Sequence, residues 1–174
     1  SAIKKGIPTI VKFFGQDTAK SIIKNNKKGD LIIGNNVLAH VPDLNDFVKG
    51  LKILLKPNGI ITLEFPHILK LIQKKQFDTI YHEHFSYFSF ITIKKIFLHY
   101  DLIVFDVEKL TTHGGSLRIH VKHKENKTIK ITPKIKLLIK EEKKAELHKI
   151  STYKKFQGVV IENQIKIEKF FSNK

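Results

Sequence analysis

Apolar residues along this chain alternate between short continuous runs and helical spacing. Residues 9–14 are an apolar, β-rich run closed by Gly15 and predict a first strand. Asp17 stands where a helix N-cap would, ahead of a helix over 18–25 that Asn26-Lys27-Lys28-Gly29 closes. The run 30–34 is uninterrupted and of strand length, so it predicts a buried strand. Pro42-Asp43 opens a helix with Leu44, Phe47, Val48, Leu51, Leu54 and Leu55 at helical spacing, and Pro57-Asn58-Gly59 stops it. A second buried strand follows over 60–65, then helices over 69–75 and 92–100. Strands over 102–107 and 116–122 are joined through His113-Gly114-Gly115. The alternation argues for an α/β domain with a mostly parallel sheet, and the short Gly-Gly link makes the last two strands antiparallel neighbours. Beyond 123 the pattern changes. Residues 134–155 are Lys/Glu-rich, with Leu137, Leu138, Ala145 and Leu147 on one side of an exposed helix, and 164–171 continue as a helical tail. This divides the chain into 1–123 and a Lys-rich extension, 124–174.

Composition narrows the partners. The 174 residues suit a domain with a real core, and no apolar run reaches the roughly 20 residues that span a bilayer, so no membrane partner is expected. Zero Cys removes disulfides and thiolate-held zinc and fits a cytoplasmic chain. A start at Ser1 without any Met predicts a piece of something longer. The formal charge of +16 favours anionic ligands such as nucleotides. It does not point to nucleic acid, because Arg118 is the one arginine, and base and phosphate reading leans on the planar guanidinium.

Chemistry concentrates at Tyr81-His82-Glu83-His84, where a phenol, two imidazoles and a carboxylate are set among Phe, Ile and Tyr residues. Imidazole titrates near neutrality, and apolar surroundings shift it further, so proton transfer is expected here. Ordinary loop histidines and a core tyrosine are the plain alternative.

Several motifs, in order, resemble one family. Asp30 to Asp43, followed by Leu54-Leu55-Lys56-Pro57-Asn58-Gly59, resembles the fourth- and fifth-strand region of class I S-adenosylmethionine-dependent methyltransferases. Glu64-Phe65-Pro66-His67, the Tyr81–His84 cluster and His113-Gly114-Gly115-Ser116-Leu117-Arg118 resemble the sugar C-methyltransferases, which act on nucleotide-linked 4-keto deoxysugars. The resemblance implies a partial Rossmann-like sheet, mostly parallel with an antiparallel last strand, and a helical C-terminal tail. It implies S-adenosylmethionine as cofactor, with His84 as general base, Tyr81 as donor to the sugar or enolate oxygen, Glu83 orienting an imidazole or the sugar, and His40 facing the same crevice. Asn35 and Asn36 line the cofactor cleft or merely make a turn. Phe14 and Gly15 flank an adenine ring or belong to the core. Glu64 and His67 lie at the substrate side, and His113 with Gly114 either faces the substrate or forms a hairpin turn. The family's zinc module, its glycine-rich cofactor loop and its ribose-binding acid have no counterpart here. Another polypeptide supplying the missing N-terminal part is therefore an expected partner, and a non-catalytic or split-enzyme remnant is one alternative function. A metal-dependent enzyme is the other, with His82 and His84 on one strand face and Glu64 or His113 as third ligand.

Overall fold

The protein is described by a computed structural model covering residues 2–25 and 28–172. Ten regular elements follow one another: α1 (Gln16–Asn25), β1 (Gly29–Asn35), α2 (Leu44–Leu54), β2 (Leu55–Pro66), α3 (Ile68–Gln73), α4 (Phe90–His99), β3 (Leu102–Leu110), β4 (Ser116–His123), α5 (Pro133–Lys144) and α6 (Ile150–Ser172). The strands form one sheet in the order β1-β2-β4-β3. β1 and β2 are parallel, while β4 runs antiparallel to both β2 and β3. Three strands thus point one way, and the last is inserted against them.

Register sorts the side chains onto two faces. Ile61, Leu63 and Phe65 of β2 sit opposite Val121, Ile119 and Leu117 of β4, and all six are buried. Phe47, Val48 and Leu51 of α2 and Phe90, Ile93 and Phe97 of α4 complete the core on that face. The intervening positions make the other face: Leu31, Ile33 and Asn35 of β1, then Thr62, Glu64, Arg118, His120 and Glu108.

That second face corrects one expectation. The run 30–34 is strand, yet it is the sheet's edge, and Ile33 is 62% exposed. A continuous apolar run is built for cover on both faces, but among the described residues β1 pairs with β2 alone. The strand expected over 9–14 does not form either: these residues have no strand pairing, the chain bends at Lys12 with its N–H on the Ile10 carbonyl at 3.1 Å, and Phe13 is 95% exposed. A strand needs a partner for its backbone groups, and no described strand lies beside this one.

Helix ends also shift from expectation. α1 starts at Gln16, so Asp17 lies inside the first turn, and the cap comes from α2: the Gln16 backbone N–H and its side-chain amide donate to Asp46 Oδ1 at 3.3 and 2.9 Å. α2 opens after Pro42-Asp43 as expected, and Asp43 caps it by accepting from the Asp46 N–H at 2.9 Å. α2 ends at Leu54, and Pro57-Asn58-Gly59 falls within irregular β2 rather than stopping a helix. The turn expected at 26–29 lies partly outside the described residues.

The helix expected over 134–155 is two helices. α5 stops in a Schellman turn, with Leu147 N–H on the Glu142 carbonyl, Glu146 N–H on the Lys143 carbonyl, and Glu146 left-handed at φ 56°. Its buried stripe is Ile135, Leu138 and Glu142, whereas Leu137 is exposed. Ile135 and Leu138 join the same core as α2 and α4. α6 contains the tail foreseen at 164–171 and has no buried residue. Among the described residues no helix is long and apolar enough to cross a membrane.

A candidate active site at the carboxyl edge of the sheet

Residues that chemistry singles out meet where β1, β2 and β3 end and β4 begins, the edge at which open α/β sheets bind ligands. β1 runs into Asn36, which turns the chain with φ 54° while its N–H donates to the Glu64 carbonyl at 2.9 Å. A 3-10 turn at Leu38–His40 then buries Leu38 and Ala39, which aims His40 back at the edge. β2 ends in Pro66-His67, and the chain returns over 80–88 to bridge His67 with Phe88. The Ala39 carbonyl accepts the Phe85 and Ser86 N–H groups at 2.8 and 3.3 Å and fixes this return loop against the turn. Beyond β3, Thr112–Gly114 makes a further 3-10 turn.

The cleft between these segments is about 130 Å³, lined by Asn36, His40, His67, Gln76, Tyr81, His84, Tyr87 and His113 among others. One water needs roughly 10–15 Å³ on this scale, so the space admits part of an organic ligand. His84 is half-buried at its centre. Its Nε2 lies 3.1 Å from the Tyr81 hydroxyl, and its ring centroid is 4.3, 4.7 and 5.5 Å from those of Tyr81, His40 and Tyr87. Its Nδ1 is buried without a partner at hydrogen-bonding geometry, and Asn36 Oδ1 is a second such orphan. Orphaned buried polar atoms are rare in folded chains, and both of these belong to residues that line the cleft.

Burial pushes the His84 imidazole below its ordinary value, and His40 and His113 push it the same way. The Thr79 backbone and the Glu83 carboxylate oppose this and are outweighed. The neutral, proton-accepting form is therefore favoured at neutral pH. Removing His40 takes away a repulsive neighbour, so His40→Gln is expected to raise the His84 pKa and reduce its neutral fraction near pH 7. An NMR titration of the His84 ring in both chains measures this. A native His84 titrating above a free imidazole contradicts the assignment.

Each anticipated residue has a definite place. His40 Nδ1 lies 2.9 Å from the Glu83 carbonyl, and since a carbonyl only accepts, Nδ1 carries the proton there. Glu83 thus reaches His40 through its backbone, while its side chain is exposed. Asn36 Nδ2 lies 3.0 Å from His113 Nε2, joining the β1 end to the turn after β3. The Gly114 carbonyl accepts Lys74 Nζ at 2.6 Å, and both Gly114 and Gly115 have positive φ. Asn35 is exposed beside Glu64. Glu64 does not line the cleft. It is buried, accepting Thr112 Oγ1 at 2.9 Å and Arg118 Nη2 at 3.1 Å, and so braces the turn that carries His113. Phe14 and Gly15 also lie away from the cleft: Phe14 meets Phe47 edge-on at 5.5 Å, and a Cβ on Gly15 would fall 1.8 Å from Asp46 Oδ2. Both serve the close approach of α1 and α2.

His82 and His84 do not share a strand face, because residues 82 and 83 form a turn. The group of described residues that could hold a metal ion is instead Asp106, Glu108 and His120, on the sheet's second face. Its carboxylates are already engaged by Thr132, Lys134 and Arg118. Sequence reasoning passed over Tyr87, whose hydroxyl takes the Tyr81 N–H at 3.2 Å and lies 3.4 Å from the Thr79 carbonyl. The clustering of aromatics after His84 was its signal. Glu142, which is fully buried and bonded to His67, was hidden by its charged neighbours, and its one signal was the helical phase it shares with Ile135 and Leu138.

Comparison with known proteins agrees with the geometry. Residues 2–106 match the family model described as a methyltransferase domain, and residues 111–173 match the C-methyltransferase C-terminal domain. Over 113 residues the chain is 36% identical to C-methyltransferase NovU from Streptomyces niveus, covering 65% of this chain and 27% of that protein. The chain thus spans about a quarter of that relative's length. A solved structure of a SAM-dependent methyltransferase from Anabaena variabilis superposes with a TM-score of 0.51 at 13% identity, over 66% of this chain and 57% of that one. At that identity the likeness concerns the fold alone. Since the methyltransferase-domain match extends over more than half of the residues, the chain belongs to the methyltransferase-domain family.

Proposed function

We propose that the cleft methylates carbon next to the ketone of a nucleotide-linked keto-deoxysugar, with S-adenosylmethionine as methyl donor. The observation that carries this reading is His84: an imidazole held toward its neutral form, hydrogen-bonded to a phenol, with a second ring nitrogen unpartnered. Carbon methylation first requires removal of an α-proton. A carbonyl oxygen that takes the Tyr81 hydroxyl as its donor releases His84 Nε2 to accept that proton. The C–H bond breaks, an N–H bond forms, and negative charge develops on the oxygen facing Tyr81. His40, pinned to the Glu83 carbonyl, keeps the cluster aligned, and the net charge of +16 attracts a diphosphate-linked substrate.

Bound S-adenosylmethionine supplies an electrophilic methyl group. The residues present fit it in part. Asn36, with its orphaned Oδ1 at the end of β1, would hold one side, while Phe14 and Gly15 are spent on helix packing. A further polypeptide segment that pairs with the edge strand β1, covers its exposed Leu31 and Ile33 and supplies the rest of the cofactor cradle completes this reading. The chain by itself is then expected to bind S-adenosylhomocysteine more weakly than about 1 µM, or roughly −8 kcal/mol. Calorimetry showing micromolar or tighter affinity rejects the need for such a segment.

The chemistry is testable without the cofactor. Incubated with a nucleotide-linked 4-keto-deoxysugar in D2O, the chain is expected to wash deuterium into the α-carbon faster than buffer does, as followed by mass spectrometry. Retention of the α-hydrogen at the buffer rate overturns the base assignment.

A further inference from the structure

The least expected contact in the molecule joins the C-terminal segment to the cleft wall. Glu142 of α5 is completely buried, and so, at 1% exposure, is His67. Its Oε1 takes the His67 ring at Nε2, 2.7 Å, and the Phe90 N–H, 2.6 Å, while Oε2 takes the Ile91 N–H at 2.8 Å. The last two are free donors of the first turn of α4, where a negative charge is favoured. Backbone N–H groups can only donate, so both carboxylate oxygens are held as acceptors, and Nε2 completes the set as a third donor.

His67 lines the same cleft as His84, and with Nε2 spent on Glu142 its remaining polar atom is Nδ1. Nδ1 has no hydrogen-bond partner among the described residues. The ring cannot turn over to exchange its nitrogens without losing a buried bond, and the backbone holds it from a second side through its N–H on the Gly115 carbonyl at 3.0 Å.

We infer that Glu142 is a positioning residue: it fixes the His67 tautomer with the proton on Nε2, so that the wall of the cleft offers Nδ1 as a hydrogen-bond acceptor for a hydroxyl of the bound ligand. This deepens the sugar-methylation reading and rests on it for the identity of the ligand, though not for the tautomer. A carboxylate fixing an imidazole in this manner is a recurrent device for setting which nitrogen faces a substrate. It also gives the Lys-rich C-terminal segment a part in the cleft, since α5 reaches the site through one buried side chain.

The test is a long-range proton–nitrogen correlation spectrum of the 15N-labelled chain, with the His67 ring assigned by its loss in His67→Gln. One protonated nitrogen, Nε2, and one bare nitrogen, Nδ1, are expected near neutral pH. Glu142→Gln should keep that pattern, because its side-chain carbonyl still accepts Nε2–H. Glu142→Ala should move both ring nitrogens to averaged positions while the amide spectrum remains that of a folded chain. A proton on Nδ1, or on both nitrogens, in the unsubstituted chain overturns the inference, and so does an unchanged tautomer in folded Glu142→Ala. If Glu142→Ala fails to fold, the unsubstituted chain and Glu142→Gln still decide. No cofactor or sugar enters the measurement, so failure of α-proton exchange would reject the methylation reading and leave the tautomer result standing.

Discussion

His84→Gln is expected to slow α-proton exchange into a keto-deoxysugar by about 100- to 10,000-fold, the usual worth of a positioned general base. Glutamine retains a polar side chain able to meet the Tyr81 hydroxyl but has no nitrogen that accepts a proton near neutrality. The ring is only half-buried and touches Tyr81, Tyr87 and His40 rather than the aliphatic core. Its loss should therefore leave the thermal midpoint close to the parent's. Exchange rate and melting curve are read on the same sample. A rate lost in step with stability reassigns His84 to a structural role, and an unchanged rate moves the base elsewhere.

Phe65→Ala is expected to cost about 3–5 kcal/mol, a large part of the roughly 5–15 kcal/mol that holds a domain folded. Phe65 is completely buried on β2, which is paired on both sides, and it meets Phe88 edge-on at 5.8 Å. Phe88 forms the bridge to His67 that closes the return loop carrying Tyr81 and His84. The cavity would thus open beneath the site as well as within the core. Urea unfolding of the two chains measures the difference. A change below about 1 kcal/mol would mean that neighbouring side chains collapse into the space.

Much of this was legible because local rules and tertiary demands coincide. The spacing of Phe47, Val48 and Leu51 found the face that α2 buries, and the helix opens after Pro42-Asp43 as expected. The Gly-Gly link between the last two strands carries the positive φ values that a tight antiparallel return requires. Where reading failed, the decisive partner was distant in the chain. Nothing near Asp17 says that Asp46, thirty residues beyond Gln16, supplies the cap. The break after α5 was hidden because Glu146 takes the left-handed position where glycine is usual. Composition likewise grouped Glu142 with its charged neighbours, although helical phase puts it beside Ile135 and Leu138.

Apart from the strand over 9–14 and the break after α5, the sequence by itself determined the kinds of element, their order and the short segment rich in proton-transfer groups, since periodicity and side-chain chemistry are local properties. It also held the motifs that mark the methyltransferase family. The tertiary structure alone decided which of those groups share a cleft, which ring nitrogens are spent on Glu83 and Glu142, and which strand lies at the edge. Those outcomes depend on register and on contacts between residues far apart in the chain, and hydrogen bonds and burial are assigned only when such residues meet.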